Sequence, residues 1–543
     1  MREAALTADV CQRATRARDP RFDGLFFVGV TTTRIYCRPV CPARVTYPDR
    51  RRFFDSAAAA ERAGFRPCLR CRPELAPGRA LCDAVSRLAR TAAHRIAAGA
   101  LNGRGVADLA RELGVSERHL RRALERELGV SPVDLAQTHR LLLAKRLLAD
   151  TDLPVTRIAF ASGFQSLRRF NAVFRERYRL PPSALRGPRR AARPVPAEPA
   201  GDLLRLTLAY RPPLAWDVLV ALLRREAVDG VETVEGRRYG RTVQVEGRRG
   251  VVFAEDAGTA TAEESWTASA PRARPTYVNI DVSPALVPVL MPLLARLRQL
   301  FDLDAQPAAV DAQLAQGGLG ELVRRRPGLR LPGAVDGFEV ALLALLRGRS
   351  PWGVTARELA RRVIHALGEP IATGMPGLTR LAPSAERVAD AGARTLAMLG
   401  VPQPRADAIA TIAPMVADGT LRLQPGNDAR ATYRALTDVA GIGDALATTI
   451  VTRALSWPDA FPASEGALQR AAGVSCARAL LTRADRWRPW RAYAAVHLRL
   501  HAEDIAASIE RAPSGTRRRE CKVERIPTAA PIGAARRFVQ AGA

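Results

Sequence analysis

The sequence predicts a multidomain α+β protein: a small cysteine-containing domain, an all-α domain, a small α+β domain and a second all-α domain, in that order. Three observations predict this order. Four cysteines fall in two close pairs near the N-terminus, helical periodicity without strand alternation follows, and strand-like runs begin near residue 203 before helices return. At about 100–200 residues per domain, 543 residues allow this many domains, each with its own core.

The charge balance favours a polyanionic partner. The net charge is +29, from 83 Lys and Arg against 54 Asp and Glu, and nucleic acid is the commonest partner of such a chain. GC-biased codon usage is the alternative, although it explains a surplus of positive charge less well. We see no signal peptide at the N-terminus, and prolines interrupt the longest apolar run, from Ser283. We therefore expect a cytoplasmic protein without membrane association, where clustered cysteines are usually ligands rather than disulfides.

Two short stretches, "YCRPVCPAR" and "PCLRC", carry the paired cysteines. Cys37 and Cys41 form a C-x3-C pair, and Cys68 and Cys71 form a C-x2-C pair. This is the spacing of a tetrahedral zinc site with four cysteine ligands, so the sequence predicts one bound zinc ion. From spacing alone the site is structural; whether one sulfur also does chemistry needs further evidence.

The residues around these cysteines supply that evidence. "DPRFDGLFFVGVTTTRIYCRPVCPAR" and "AGFRPCLRCRPE" closely resemble the N-terminal domain of the bacterial Ada family, over roughly residues 8–75. The resemblance implies that Cys37 is a zinc ligand and also the irreversible acceptor of a methyl group from a methylphosphotriester in DNA. Its co-ligands would be Cys41, Cys68 and Cys71. We assign residues 1–80 to this domain.

The implied chemistry contains an electrostatic switch. Zinc keeps a bound thiol deprotonated, and the thiolate is the nucleophile. Four thiolates around the dication leave a net charge of about −2, and methylating one sulfur reduces it to about −1. Repulsion of the phosphate backbone falls, so DNA binding tightens. Candidate phosphate ligands, with solvated surface residues as the alternative, are Thr33, Arg34, Arg44 and Arg66.

Residues 81–186 predict two helix-turn-helix units. In "VADLARELGVSERHLRRALERELG" Gly114 makes the turn and Ser116 caps a basic second helix. In "IAFASGFQSLRRFNAVFR" Gly163 makes the turn, and this pattern looks like the AraC-type DNA-binding domain. A helical bundle without a DNA role is the alternative. Candidate DNA contacts on the two second helices are His119, Arg121, Arg122, Gln165, Ser166, Arg168 and Arg169. Residues 187–202 read as a Pro/Ala/Arg-rich linker.

The C-terminal half predicts a small α+β domain over 203–300 and a helical domain over 301–508. "RTVQVEGRRGVVFAE" reads as a hairpin around Gly247. "LTDVAGIGDALATTIVTRAL" places Gly441 and Gly443 between two helices, a helix-hairpin-helix turn whose backbone N–H groups can approach a phosphate. The basic tail, 509–543, is expected to be disordered.

Three further stretches of the C-terminal half make the prediction for it more specific. "LPGAVDGFEVALLALL", "LGVPQPRADAIATIA" and "DRWRPWRAYAAVHL" are similar to the AlkA-type alkyladenine DNA glycosylases of the helix-hairpin-helix superfamily, over roughly 203–505. The resemblance implies an enzyme that flips a methylated base, such as 3-methyladenine, into an aromatic pocket and cuts its N-glycosidic bond. Candidates for the pocket are Trp487 and Trp490, with a role as core aromatics as the alternative.

The sequence departs from the glycosylase pattern at several positions. The family's catalytic aspartate falls on Glu465, which keeps the carboxylate but moves it by one methylene. Ala445 stands where bifunctional relatives carry a Schiff-base lysine, so no strand cleavage is expected. The tryptophan that often follows the hairpin is missing. Family members insert a loop into the DNA, and here the corresponding loop, 347–354, lacks the usual glutamine-centred pattern. Arg349 or Trp352 would have to take the place of the inserted side chain.

The sequence thus predicts a methylphosphotriester sensor and transcription activator fused to a monofunctional glycosylase for alkylated bases. The alternatives are a zinc-dependent regulator whose glycosylase-like half binds DNA without excision, and a cysteine site that is only structural. Expected partners are double-stranded DNA, both alkylated DNA and promoter sites, and RNA polymerase. We expect a monomer. No second methyl-acceptor motif with a Pro-Cys-His core is present.

Overall fold

The cysteine-containing domain is built on a small mixed sheet. The computed structural model describes residues 6–43, 47–78, 87–185, 203–259, 276–347 and 355–511. The first strands are β1 (Phe27–Val30), β2 (Ile35–Cys37), β3 (Arg51–Phe54) and β4 (Arg66–Pro67), in the order β3-β1-β2-β4. Helices α1 (Ala8–Ala17) and α2 (Ala57–Arg62) belong to the same domain. Because β2 and β4 run parallel, both cysteine pairs follow strands that end at the same edge of the sheet.

Six helices form the next domain, as predicted. They are α3 (Arg87–Ala97), α4 (Val106–Glu112), α5 (Glu117–Leu128), α6 (Pro132–Asp150), α7 (Val155–Ala161) and α8 (Leu167–Tyr178). Both predicted turns are confirmed, because Gly114 and Gly163 have φ angles of 67° and 86°, where a side chain would be strained. Ser116 caps α5 by accepting a hydrogen bond from the backbone N–H of His119 at 3.2 Å.

A five-stranded antiparallel sheet opens the C-terminal half. Its strands are β5 (Leu204–Ala209), β6 (Glu232–Glu235), β7 (Arg238–Val245), β8 (Arg248–Asp256) and β9 (Tyr277–Val282), in the order β5-β9-β8-β7-β6. The predicted hairpin at Gly247 joins β7 to β8. Helix α9 (Trp216–Glu226) packs against this sheet, with Trp216 buried against Phe301.

Helices then make up most of the described chain between residues 290 and 511. They are α10 (Leu290–Leu300), α11 (Pro307–Leu314), α12 (Gly320–Arg325), α13 (Gly337–Leu346), α14 (Ala356–Leu367), α15 (Ala385–Met398), α16 (Gln403–Ala417), α17 (Ala429–Thr437), α18 (Asp444–Ala454), α19 (Gly466–Ala471), α20 (Ala477–Ala484) and α21 (Arg491–Arg511). The last helix therefore continues beyond the expected domain end at residue 508, into the segment expected to be disordered. None of the helices in the described part of the chain has the length and hydropathy that a membrane crossing requires.

The hydrophobic cores do not follow the expected domain boundaries. One cluster of buried side chains joins α6, α7 and α8 to the five-stranded sheet and α10, so Leu147 and Phe174 share a core with Leu206 and Leu293. A second core fills the helical domain around α13, α16 and α18, and a third lies around α21. The helix-turn-helix domain and the C-terminal half are therefore packed together rather than separated.

Candidate metal centre, DNA-binding surfaces and base cavity

Four cysteines meet at the shared edge of β2 and β4. The Sγ atoms of Cys37, Cys41, Cys68 and Cys71 all lie within 4.8 Å of one another. Tetrahedral zinc with Zn–S bonds of about 2.3 Å places sulfurs about 3.8 Å apart, so the cluster has the size of a zinc site. All four are free cysteines. The donor set therefore fits one zinc ion held by four thiolates.

The two cysteine pairs differ in exposure and in hydrogen bonding. Cys68 and Cys71 are buried, with 8% and 7% of their surface exposed, whereas Cys37 and Cys41 are partly exposed. The backbone N–H of Arg70 donates to Cys68 Sγ at 3.4 Å, and that of Arg38 donates to Cys71 Sγ at 3.4 Å. Such bonds reduce the charge on a thiolate sulfur. The first pair is therefore the more accessible of the two.

Buried ion pairs hold the cysteine loops. Arg38 donates through Nε to both carboxylate oxygens of Asp23, at 2.9 and 3.1 Å, and through Nη1 to the carbonyl of Cys71. Lys145 of α6, 3% exposed at its side chain, donates to the carbonyl of Cys68 at 3.1 Å and pairs with Glu74. The second cysteine loop is thus anchored through two of its backbone carbonyls, and the first loop is tied to it and to Asp23 through the Arg38 side chain.

Three of the four predicted phosphate ligands lie at the opposite strand ends from the cysteines. Thr33 and Arg34 are exposed in the turn before β2, and the Arg34 guanidinium lies 5.5 Å from the centre of the Phe65 ring. The backbone N–H of Arg66 donates to the carbonyl of Arg34 at 2.8 Å, so the two arginines are neighbours. Arg44 lies outside the described residues.

Most of the predicted helix-turn-helix contacts are exposed. The exposed group is His119, Arg122, Gln165, Ser166, Arg168 and Arg169. Arg121 is half-buried and pairs with Glu117 at 2.5 Å, one turn earlier. Ser166 accepts a hydrogen bond from the backbone N–H of Arg169 at 3.4 Å, so it also caps α8. Their contact with DNA stays a prediction.

The helix-hairpin-helix turn joins α17 to α18. Gly441 has a φ of 89°, and a Cβ there would lie 2.8 Å from the carbonyl oxygen of Pro404. Gly443 caps α18 with a φ of −84° and has open space around its missing side chain. The first glycine is therefore required by the fold, whereas the second leaves the N-terminus of α18 open to a phosphate.

Beside the hairpin lies a cavity of about 370 Å³ that contains Glu465. Glu465 precedes α19, and its carboxylate accepts two hydrogen bonds from Arg499, Nε to Oε1 at 3.0 Å and Nη2 to Oε2 at 2.7 Å. The described lining is Leu222, Arg225, Glu226, Leu331, Pro332, Arg347, Thr448, Thr449, Thr452, Arg453, Ala460, Pro462, Glu465, Ala492, Ala495, Val496, Arg499, Leu500 and Glu503. No aromatic side chain is among these residues.

Comparison with known proteins places the three parts in one family. Family models match at residues 10–74 (metal binding domain of Ada), 109–187 (helix-turn-helix domain) and 205–336 (AlkA N-terminal domain). The chain is 37% identical over 493 residues to the probable bifunctional transcriptional activator/DNA repair enzyme AlkA of Mycobacterium tuberculosis, covering 90% of this chain and 95% of that protein. The chain belongs to this bifunctional family. We refer to it below as the Ada–AlkA fusion family.

Other relatives match only one part of the chain each. DNA-3-methyladenine glycosylase 2 of Escherichia coli is 34% identical over 293 residues, covering 54% of this chain and 95% of that protein. The solved DNA methyl phosphotriester repair domain of E. coli Ada is 46% identical, with a TM-score of 0.12, covering 13% of this chain and 76% of that one. In this fusion-family member the Ada-type domain holds one zinc ion through its four cysteines.

The structure corrects the assignment of Trp487 to the base pocket. Trp487 is fully buried, donates from Nε1 to the carbonyl of Gly317 at 3.0 Å and packs against Phe461, so it has the alternative role of a core aromatic. Trp490 is half-buried, packs edge-on against Tyr493 and lies at the edge of the third core. Neither residue is among the described lining of the cavity, and a role of Trp490 in base binding stays a prediction.

The charged lining of the cavity was missed by the sequence analysis. Glu226 of α9 pairs with both Arg347 and Arg453. Burial disfavours its charged form, but the charges of Arg453 and Arg347 outweigh burial and lower the pKa of Glu226 to about 2. These residues are far apart in sequence, and no local pattern signals their meeting. Arg349 and Trp352, the candidate wedge residues, lie outside the described residues.

The hairpin geometry predicts different effects for its two glycines. Gly441→Ala should destabilise the helical domain by about 1–2 kcal/mol, since its φ is left-handed and its Cβ meets a carbonyl. Gly443→Ala should leave stability unchanged but weaken binding to undamaged duplex, because its methyl group occupies the approach of a phosphate. Calorimetry and fluorescence anisotropy would measure these two quantities. A Gly443→Ala protein with unchanged DNA affinity would show that the hairpin is not the phosphate site.

Proposed function

We propose that the N-terminal half repairs methylphosphotriesters in DNA and converts that repair into a transcription signal. The observation that carries the proposal is the position of Cys37, a ligand in the more exposed cysteine pair of a four-thiolate centre. When bound, zinc supplies a thiolate that persists at neutral pH. The relatives named Ada and AlkA, which are described as transcriptional activators and DNA repair enzymes, support the assignment.

The transfer balances as a direct displacement. The Cys37 thiolate sulfur attacks the methyl carbon of the phosphotriester, and the S–C bond forms as the C–O bond to phosphate breaks. The products are a thioether on Cys37 and an ordinary, singly charged phosphodiester. Since no group in the site removes the methyl from the thioether, each protein molecule reacts once. The net charge of the centre changes from about −2 to about −1, which lowers its repulsion of the backbone.

The two helix-turn-helix units supply the sequence-specific part of binding. Their exposed basic residues face solvent on α5 and α8, while the buried faces of both helices pack into the cores. We propose that these helices read promoter sites in the major groove, as such units do. In this proposal the protein acts as a monomer in the cytoplasm, and activation proceeds through contact with RNA polymerase.

The C-terminal half is proposed to be a monofunctional glycosylase for alkylated bases such as 3-methyladenine. Glu465 lies in a cavity large enough for a base, next to the hairpin that would grip the backbone. Its carboxylate can stabilise the positive charge that develops on the sugar as the glycosidic bond breaks. Arg499 orients this carboxylate through two hydrogen bonds and also neutralises part of its charge.

One observation favours the second candidate, a DNA-gripping half without excision. The cavity offers ion pairs instead of the aromatic faces that a cationic methylated base would stack on, and its carboxylates are held by arginines. For catalysis, the negative charge of Glu465 must still stabilise the developing positive charge on the sugar, although Arg499 is bound to the same carboxylate. The two candidates therefore differ in a single measurable quantity, the release of free base.

The methyl-transfer switch predicts a gain in DNA affinity. After reaction with DNA that contains methylphosphotriesters, the protein should bind its promoter about tenfold more tightly, and the gain should shrink at high salt, because one unit of negative charge is lost near the backbone. Cys37→Ser should show no gain, and Cys476→Ser, which removes an exposed cysteine outside the cluster, should behave as the natural protein. Electrophoretic mobility measurements before and after reaction would decide this. An equal gain in Cys37→Ser would exclude Cys37 as the acceptor.

Excision is tested on duplex DNA that contains 3-methyladenine. We expect the natural protein to release the free base and Glu465→Gln to be slower by about a hundredfold, since the stabilising carboxylate charge is lost. Glu321→Gln, which alters an exposed, arginine-paired glutamate outside the cavity, is the control. No release from the natural protein, with release from Glu465→Asp, would instead show that the carboxylate is displaced and that the half only binds DNA.

A further inference from the structure

Arg211 lies where two parts of the described chain meet: the sensor half, residues 6–185, and the glycosylase half, residues 203–511. It follows β5, belongs to the glycosylase half and is only 1% exposed. Its guanidinium donates to three backbone carbonyls, from Nε to Asp23 at 3.0 Å, from Nη1 to Asp304 at 3.0 Å and from Nη2 to Gly78 at 2.5 Å. Two of these acceptors belong to the cysteine-containing domain. A buried guanidinium is stable only when its donors are paired, so Arg211 needs the other half to be in place.

Backbone packing at the junction is tight on both sides. A Cβ at Gly78 of the sensor half would lie 2.4 Å from Asp304 Oδ1, and a Cβ at Gly426 of the glycosylase half would lie 2.6 Å from Thr91 Cγ2. Thr91 also donates from Oγ1 to the carbonyl of Gly426 at 3.0 Å. Each half thus has a glycine at a point where a side chain of the other half contacts its backbone and leaves no room for a Cβ atom.

Helix α6 makes a further polar contact between the halves. Arg146, which is 6% exposed, donates to the carbonyl of Thr207 in β5. The adjacent Lys145 donates to the carbonyl of Cys68, and Asp150 pairs with Arg72 next to Cys71. One helix therefore contacts the metal-binding loops and the glycosylase sheet together.

Apolar packing supports these contacts but does not fill the junction. Helices α6, α7 and α8 share one core with the five-stranded sheet, and Asn102 of the sensor half donates to the sulfur of Met291. A cavity of about 370 Å³ remains among the cysteine domain, the helix-turn-helix domain and α10. Because unfilled space weakens packing, the polar anchors carry a larger share of the docking.

The anchor is also connected to the metal centre. Asp23, whose carbonyl accepts from Arg211, binds Arg38 through its carboxylate, and the Arg38 backbone donates to Cys71 Sγ. On its other side the carbonyl of Arg211 accepts from Arg330 at 2.6 Å. A continuous set of buried hydrogen bonds thus runs from a zinc ligand into the glycosylase half.

We propose that the sensor half and the glycosylase half are docking partners that hold together without the linker, with Arg211 as the anchor of the interface. The DNA-binding surfaces of the two halves are then held at a fixed distance from each other. Once one half has bound DNA, the other half binds at an effective concentration set by that distance. The proposal does not depend on excision by Glu465, since it concerns association and DNA affinity only.

The test uses the full chain with a specific protease site placed in the linker, within residues 187–202. After cleavage we expect the natural halves to elute together at micromolar concentration and to keep the promoter affinity of the intact chain. The cleaved Arg211→Met protein should separate and lose at least tenfold in affinity. Arg205→Met is the control, because Arg205 lies on β5, shortly before Arg211, but pairs with Asp281 inside its own half; the cleaved halves of this variant should stay associated.

Two results would overturn the proposal. Separation of the natural halves after cleavage would show that the linker alone holds them, and equal co-elution of the Arg211→Met and Arg205→Met proteins would remove Arg211 as the anchor. If Arg211→Met does not fold, Arg146→Met probes the same interface from the opposite half. That variant should separate after cleavage while keeping its zinc, and its full retention of co-elution would count against the docking surface.

Discussion

The zinc–thiolate bonds are the interaction on which the N-terminal half depends. Four thiolates within 4.8 Å repel one another, and only a cation between them makes that arrangement stable. The bonds close two loops at one edge of a small sheet that buries few side chains of its own. Through Arg38 and Asp23 the same loops reach the carbonyl that Arg211 binds. Metal binding thus fixes the position of the proposed acceptor cysteine, the fold of the small domain and one side of the junction.

The same centre explains how a repair event can become a signal. A chemical step at one sulfur changes the charge of the site by one unit without taking the domain apart, since the buried pair keeps its backbone hydrogen bonds. A charge change beside DNA is read as a change in affinity, whereas a charge change in solvent would be screened. In our proposal the two cysteine pairs have separate roles: the partly exposed pair supplies the reacting sulfur, and the buried pair holds the metal.

Arginine serves structure in this chain as well as DNA binding. Arg211, Arg330 and Arg241 are almost fully buried, and they donate to backbone carbonyls or to the carboxylate of Glu339. In the cavity, arginines hold Glu226 and Glu465. Part of the net charge of +29 is therefore not available to a polyanion, so composition overstates the DNA-facing charge.

Local signals in the sequence were sufficient for much of the fold. The cysteine spacing, the Ser116 cap, Gly114 and Gly163 each act through neighbours a few residues away, and each was predicted with its role. The ion pairs of Glu226 and Glu465 join residues that are far apart in the sequence, so no local spacing of residues predicts them. The prediction for Trp487 was wrong for a related reason: an aromatic residue beside a functional helix is equally suited to a core, and only its packing shows which role it has.

The most direct test of the central claim is native mass spectrometry of the protein after exposure to DNA that contains methylphosphotriesters, followed by peptide mapping. We predict a species that carries one zinc ion and one added methyl group, with the methyl group on Cys37. A methyl group on another cysteine, or methylation only in protein that has lost zinc, would contradict the claim that one sulfur is both the ligand and the nucleophile.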